Sequence, residues 1–161
     1  MLTEYLFLFT FFCILGTGLM GGIFFAFSSF VMKALSRLPQ GQGIRAMQAI
    51  NVTVLNPLFL TVFLGTALLG FMLAVAACFR LGQKGAVSLL AAGLLYGVGS
   101  AGVTMFCNVP LNDELAGADP DATAGAAVWK NYLRTWVRWN HVRTACSLAA
   151  SAAYIEALRT L

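Results

Sequence analysis

Long uncharged apolar runs leave this chain few ways to fold. Tyr5 to Met32, Ala46 to Phe79 and Ala86 to Asn112 each contain no charged residue. Crossing the hydrocarbon core of a bilayer takes about 20 apolar residues of helix. Within that core, only helices and closed barrels satisfy their own backbone. Charged residues make up 10% of the 161 positions, against roughly a quarter in a soluble domain. They gather at Lys33 to Arg45, Arg80 to Lys84, Asp113 to Arg143 and the C-terminal end. The expected fold is all-α: one integral membrane domain over 1–161, built as a four-helix bundle. Its expected spans are about 5–32, 57–79, 86–107 and 139–158. The N-terminal run has no basic flank and no A-x-A site after it, so it reads as a retained span rather than a signal peptide.

The connections carry their own signals. Gly18, Gly22 and Ala26 share one face of span one, and Gly93, Gly97 and Ala101 do the same in span three. Small residues at that spacing let helices approach closely in lipid, which makes spans one and three expected partners. Between Gln40 and Asn56, Met47, Ile50 and Val54 fall on one helical face and Gln48 and Asn51 on another. That pattern suits a short interfacial helix, or one folded back into the bundle. Asn56-Pro57 divides the overlong run Ala46 to Phe79, because proline disfavours helix in the residue before it and suits the first turn of the next. Asn108 to Asn112 is expected to end span three, with an acidic loop after it. Helix is expected to resume near Ala126, as an extension leading into span four. Lys130, Arg134, Arg138 and His141 form one stripe there, with Tyr132, Trp136 and Trp139 beside it. Basic and aromatic residues together mark the headgroup level.

Several function classes lack their signatures. Cys13, Cys78, Cys107 and Cys146 each lie inside an expected span and form no C-x-x-C pair, so neither a disulfide framework nor a zinc site is expected. A single histidine does not build a multi-histidine metal site or a bis-histidine haem. No Walker loop, dinucleotide fingerprint or H-E-x-x-H motif is present. The formal charge of +4 reads as membrane-surface anchors rather than a nucleic-acid footprint. Acidic residues inside the spans are too few for an ion-coupled transporter.

With four spans, alternate loops share a membrane face. Ser28 and Lys33, Asn51 and Asn56, Asn108 and Asn112, and Asn140, His141 and Arg143 then gather at one end. A polar cluster at membrane depth is a candidate site, although Asn and Ser also simply link membrane helices. His141 is the only side chain with an unperturbed pKa near neutrality, which makes it the candidate base. Asn108, Asn112 and Arg143 are candidate anion stabilisers. The alternative for His141 is an interfacial side chain bonded to a loop.

The segments GGIFFAFSSFVMKAL (21–35), MQAINVTVLNP (47–57), FCNVPLN (106–112), Trp129-x-x-Tyr132 and WNHVRT (139–144) together resemble the anthrone oxygenase-like family of small four-span membrane proteins. The resemblance implies a cofactor-independent oxygenase acting on an anthrone- or hydroquinone-like aromatic, with no metal or flavin. On that reading His141 is the catalytic base. Asn56, Asn108, Asn112, Asn140 and Arg143 bind substrate, and Trp129, Tyr132 and Trp139 stack on a flat ring. The other reading is a non-catalytic membrane protein that binds a lipid or quinone or serves in a larger assembly. The expected partners are membrane lipids and a hydrophobic aromatic molecule.

The polar end also holds Lys33, Arg37, Arg45, Lys130, Arg134 and Arg138, and an excess of basic residues marks the cytoplasmic side. A multi-pass cell-membrane protein with that end inside is expected. A cysteine engineered beside Asp119 should then resist an impermeant thiol reagent in intact cells. Strong labelling would reverse the orientation.

Overall fold

Where lipid replaces water, each segment must satisfy its own backbone, and this chain does so with helix. The computed structural model describes residues 2–160, with side chains from residue 4 onward. Among these residues there is no strand. The helices are α1 (Leu2–Ala26), α2 (Met32–Leu35), α3 (Gln40–Thr53), α4 (Pro57–Cys78), α5 (Ala86–Tyr96), α6 (Val109–Ala116) and α7 (Thr123–Leu158). Wide π-type turns at Phe27–Val31, Gly97–Gly102 and Thr104–Asn108 make α1 continuous with α2, and α5 with α6.

Three helical stretches are long and apolar enough to cross a membrane: Glu4–Leu35, Pro57–Cys78 and Ala86–Ala116. They mark the chain as a membrane protein. Their outer faces fit this, since Phe71, Phe79 and Phe106 are exposed. α7 has the length, but charges run through its first half and Arg143 interrupts its second.

The long helices pack in a ring. α1 lies against α7 and α4, and α5 lies against α4 and α7. α1 and α5 are therefore diagonal, which corrects the expected pairing of spans one and three. The close approach made by the span-three stripe is to α4 instead. A Cβ on Gly93 would lie 2.7 Å from the Gly70 carbonyl oxygen and 2.8 Å from the Ala74 Cβ. At Gly22 and Gly97 it would meet nothing within 4 Å. Small-residue spacing identifies a face, but which face meets a neighbour depends on how each helix is rotated in the assembly.

Helix ends explain two further outcomes. Asn56 caps α4: its Oδ1 accepts the Phe59 N–H at 3.0 Å and Pro57 opens the first turn. That boundary stands where the Asn-Pro pair suggested. The segment Asn108 to Asn112, in contrast, does not end the third span. The π turn Thr104–Asn108 carries the helix on, and Pro110 falls in the first turn of α6, where no N–H is needed. Asp113 and Glu114 therefore sit on α6, and the true loop spans 117–122. α7 begins at Thr123, slightly ahead of the expected Ala126.

α3 is folded back onto this end. The Gln48 amide donates to the carbonyls of Leu115 and Ala118, at 2.9 and 3.1 Å. Arg45 pairs with Asp121. Gly43 leaves room for the Leu35 carbonyl and the Trp129 ring. Beneath α3 lies a cluster of Met32, Ile44, Met47, Leu115, Trp129, Tyr132 and Trp136. Gly93→Ala should lower stability by about 1–3 kcal/mol through overpacking, read as a fall in melting temperature in detergent. Gly22→Ala should leave the melting temperature unchanged. Equal shifts would contradict the packing described.

Candidate functional site

The buried stripe of α7 builds the site. Tyr132, Trp136, Asn140 and Arg143 follow one another at spacings of four, four and three, and all are buried. The rings of Trp129, Tyr132 and Trp136 stack in series, with centroids 5.8 and 5.6 Å apart. Above them lies a cavity of about 720 Å³, lined by α1, the turn after it, α3, α4, the segment Thr104–Ala116 and α7. Its walls are mostly apolar, with Phe24, Phe27, Met47 and Phe63 among them.

Arg143 is the charged group of its floor. The side chain is 5% exposed. Its guanidinium donates to the Asn140 Oδ1 at 2.5 Å and to the Thr104 Oγ1 at 3.2 Å. It also lies between two rings, 4.3 Å from the Phe24 centroid and 5.1 Å from that of Trp136. Both rings offer it their negative faces. No ion pair among the described residues includes it. The Arg143 Nε, the Trp136 Nε1 and the Asn108 Oδ1 are buried without a hydrogen-bond partner among the described residues. Buried polar groups normally find partners, so the two of these atoms that belong to cavity-lining residues, on Arg143 and Trp136, suit a polar ligand.

A polar network ties the helices to this charge. The Asn140 Nδ2 donates to the Phe24 carbonyl at 2.7 Å and to the Ser28 hydroxyl at 2.5 Å. Thr104 in turn donates to the Ser100 carbonyl. On the opposite wall, the Tyr132 hydroxyl donates to the Asn112 Oδ1 at 2.8 Å and accepts from the Asn51 amide at 3.4 Å. Burial pushes the Tyr132 phenol above its ordinary range, against the Asn51 hydrogen bond and the Arg143 charge. It therefore stays a neutral donor.

The sequence-derived candidates divide. Asn112, Asn140 and Arg143 line the cavity, and Tyr132 braces its wall. Asn108 is buried beneath, where its Nδ2 donates to the Trp136 carbonyl at 3.2 Å. It fastens the π turn to α7. Asn56 is exposed and occupied in capping α4. Trp129 faces a shallow surface groove instead, and Trp139 is 39% exposed. His141 is exposed on the stripe of Lys130, Arg134 and Arg138, and it does not line the cavity. It shares a helix with Arg143 but points from another face, so the expected base stands apart from its expected partners. Sequence reasoning missed Phe24, Thr104 and Trp136 as site residues. The period of α7 contained the signal for Trp136, because its stripe is the one that ends at Arg143. Phe24 and Thr104 carried none.

The family model for anthrone oxygenase matches residues 59–153, more than half of the chain. The chain belongs to the anthrone oxygenase family. No curated protein and no solved structure matches it. The stretch matched to the anthrone oxygenase model includes Thr104, Asn112, Trp136, Asn140 and Arg143, while Phe24 and α3 lie before it. Among the described residues of this family member, no three His, Cys, Asp or Glu side chains gather as metal ligands.

Tyr132→Phe should lower stability by about 1 kcal/mol at neutral pH, through loss of the link between Asn51 and Asn112. The raised phenol pKa also predicts a sign. Its contribution is full below about pH 10, the value in the unfolded chain, and is lost as pH rises past that point. Denaturation of both proteins across pH should show a smaller alkaline loss in the variant.

Proposed function

We propose that this chain is a membrane-embedded oxygenase. It oxidises an aromatic substrate with an acidic C–H or O–H, of the anthrone or hydroquinone type, using dioxygen and no metal or flavin. The observation that carries the reading is Arg143, a buried guanidinium without a carboxylate, at the floor of an apolar cavity. Family membership supports the reaction class.

A cation in such a place favours the anionic form of a bound weak acid. Preorganised donors then hold the charge as it develops. For an anthrone-type methylene, a base removes one proton and Arg143 stabilises the delocalised anion. The anion passes an electron to dioxygen, and the radical pair joins as a C–O bond. The resulting peroxide anion takes up the proton held by the base, and loss of the second C–H proton to that base with O–O cleavage leaves a carbonyl. The other oxygen atom leaves as hydroxide, which takes up a proton to form water.

The base we assign is Asp113, the carboxylate that lines the cavity, exposed at its edge. It replaces His141 in that role. Trp136 and Phe24, rather than Trp129 and Trp139, are the rings placed to stack on the substrate. In this proposal the part of α7 from about residue 139 to 158 supplies the fourth span, with the earlier part as an extension outside the hydrocarbon core. Residues 1–161 then form one four-helix membrane domain. Its polar end faces the cytoplasm of a cell-membrane protein, with lipids around it and no role in nucleic-acid binding. The apolar cavity also supports a second reading, a module that binds a quinone or lipid without turnover.

Oxygen uptake by the purified protein given anthrone separates these. Arg143→Met should lose about 100-fold or more in rate, the scale for removing an oxyanion donor. Asp113→Asn should lower the rate and alter its pH profile, while His141→Ala should stay near wild type. No uptake by wild type above background, with a quinone or lipid co-purifying, would favour the second reading.

A further inference from the structure

The cavity has an exposed apolar side and a buried polar floor. α4 packs closely on α5 and on the turn Gly97–Gly102, but that close packing stops along Thr104–Ala116. Helices change direction at π turns, and two such turns precede α6. A fork is left between α4 and the segment Thr104–Ala116, and the cavity fills it. Its rim includes Val52, Leu64 and Met105, which are 75%, 53% and 58% exposed. Trp136 and Arg143 on the floor are each 5% exposed.

We propose that the substrate enters sideways from the hydrocarbon phase, through this fork, with its acidic oxygen leading towards Arg143. The proposal rests on the cavity being the substrate site. The exposed rim consists of groups that lipid solvates well. A neutral aromatic already dissolved in the bilayer meets no polar barrier before the floor. Its charge forms only where the guanidinium can hold it, so no anion crosses the apolar rim. Entry from water would instead run past Asp113, the exposed carboxylate further along α6 at the edge nearer the loop 117–122. That edge repels an anion and offers a neutral aromatic little apolar surface.

The test uses the unmodified protein in phosphatidylcholine vesicles that contain a phosphatidylcholine with a diazirine in mid-chain. After photolysis, peptide mass spectrometry locates the adducts. Adducts are expected on cavity residues Phe63 and Trp136 as well as on the outward-facing Phe106, which is 83% exposed. A water-soluble diazirine should leave Phe63 and Trp136 unlabelled. Leu64→Trp, which narrows the fork, should reduce cavity adducts several-fold and leave Phe106 unaffected. Lipid adducts confined to outer faces, or cavity labelling by the water-soluble reagent, would overturn the route. The readout is independent of turnover. Loss of oxygen uptake in Arg143→Met without lipid adducts in the cavity would remove the route and keep the oxygenase reading. Cavity adducts in a protein that consumes no oxygen would do the reverse.

Discussion

A guanidinium inside an apolar assembly has to be held by something, and desolvating an ion costs several kcal/mol. Around Arg143 the compensation comes from neutral groups: the Asn140 and Thr104 oxygens and the faces of Phe24 and Trp136. Hydrogen bonds from a charged donor contribute about 1.5–3 kcal/mol each, and desolvated cation–π contacts about 2. The charge is thereby stabilised without being neutralised by a carboxylate. The compensating groups sit on three elements, so holding the charge also fixes how α1, α7 and the turn Thr104–Asn108 meet. Asn140 extends this, because the same amide that accepts from Arg143 donates to Phe24 and Ser28 on α1 and the turn after it.

The two ends of the molecule differ for reasons of backbone geometry. Near the termini, Leu6, Cys13, Leu73, Leu89 and Tyr154 make an ordinary apolar core. At the other end, π turns interrupt both α1–α2 and α5–α6. Such turns recur at functional sites because they break the regular register and free space for a ligand. Here they separate α6 from α4, while α3 folds across the opening and Gln48 and Arg45 hold it there. The result is a cavity at the end where Asn51, Asn112, Asn140 and Arg143 converge.

Much of this was legible before the structure. Hydropathy located the apolar helices, Asn56-Pro57 located the start of α4, and alternation of loops brought the polar residues to one end. The family resemblance stands on the match to residues 59–153. Other expectations failed for physical reasons. Asn108 to Asn112 reads as a terminator because proline usually stops a helix, but a π turn before it lets Pro110 begin a new turn. Gly22 reads as a contact because it is small, but it faces open space. His141 reads as a neighbour of Asn108, Asn112 and Arg143, but its helical phase puts it with Lys130, Arg134 and Arg138.

The sequence by itself determined the class of solvent, the presence of long apolar helices and the end of the chain's assembly where polar groups meet. These follow from transfer free energy and helix period, which are local properties. Only the tertiary structure decided which polar groups point inward. That depends on the rotation of each helix about its axis, and rotation is set by packing between segments far apart in sequence. Arg143 and His141 are two residues apart on one helix. One lies under a cavity between Phe24 and Trp136, and the other lies outside it.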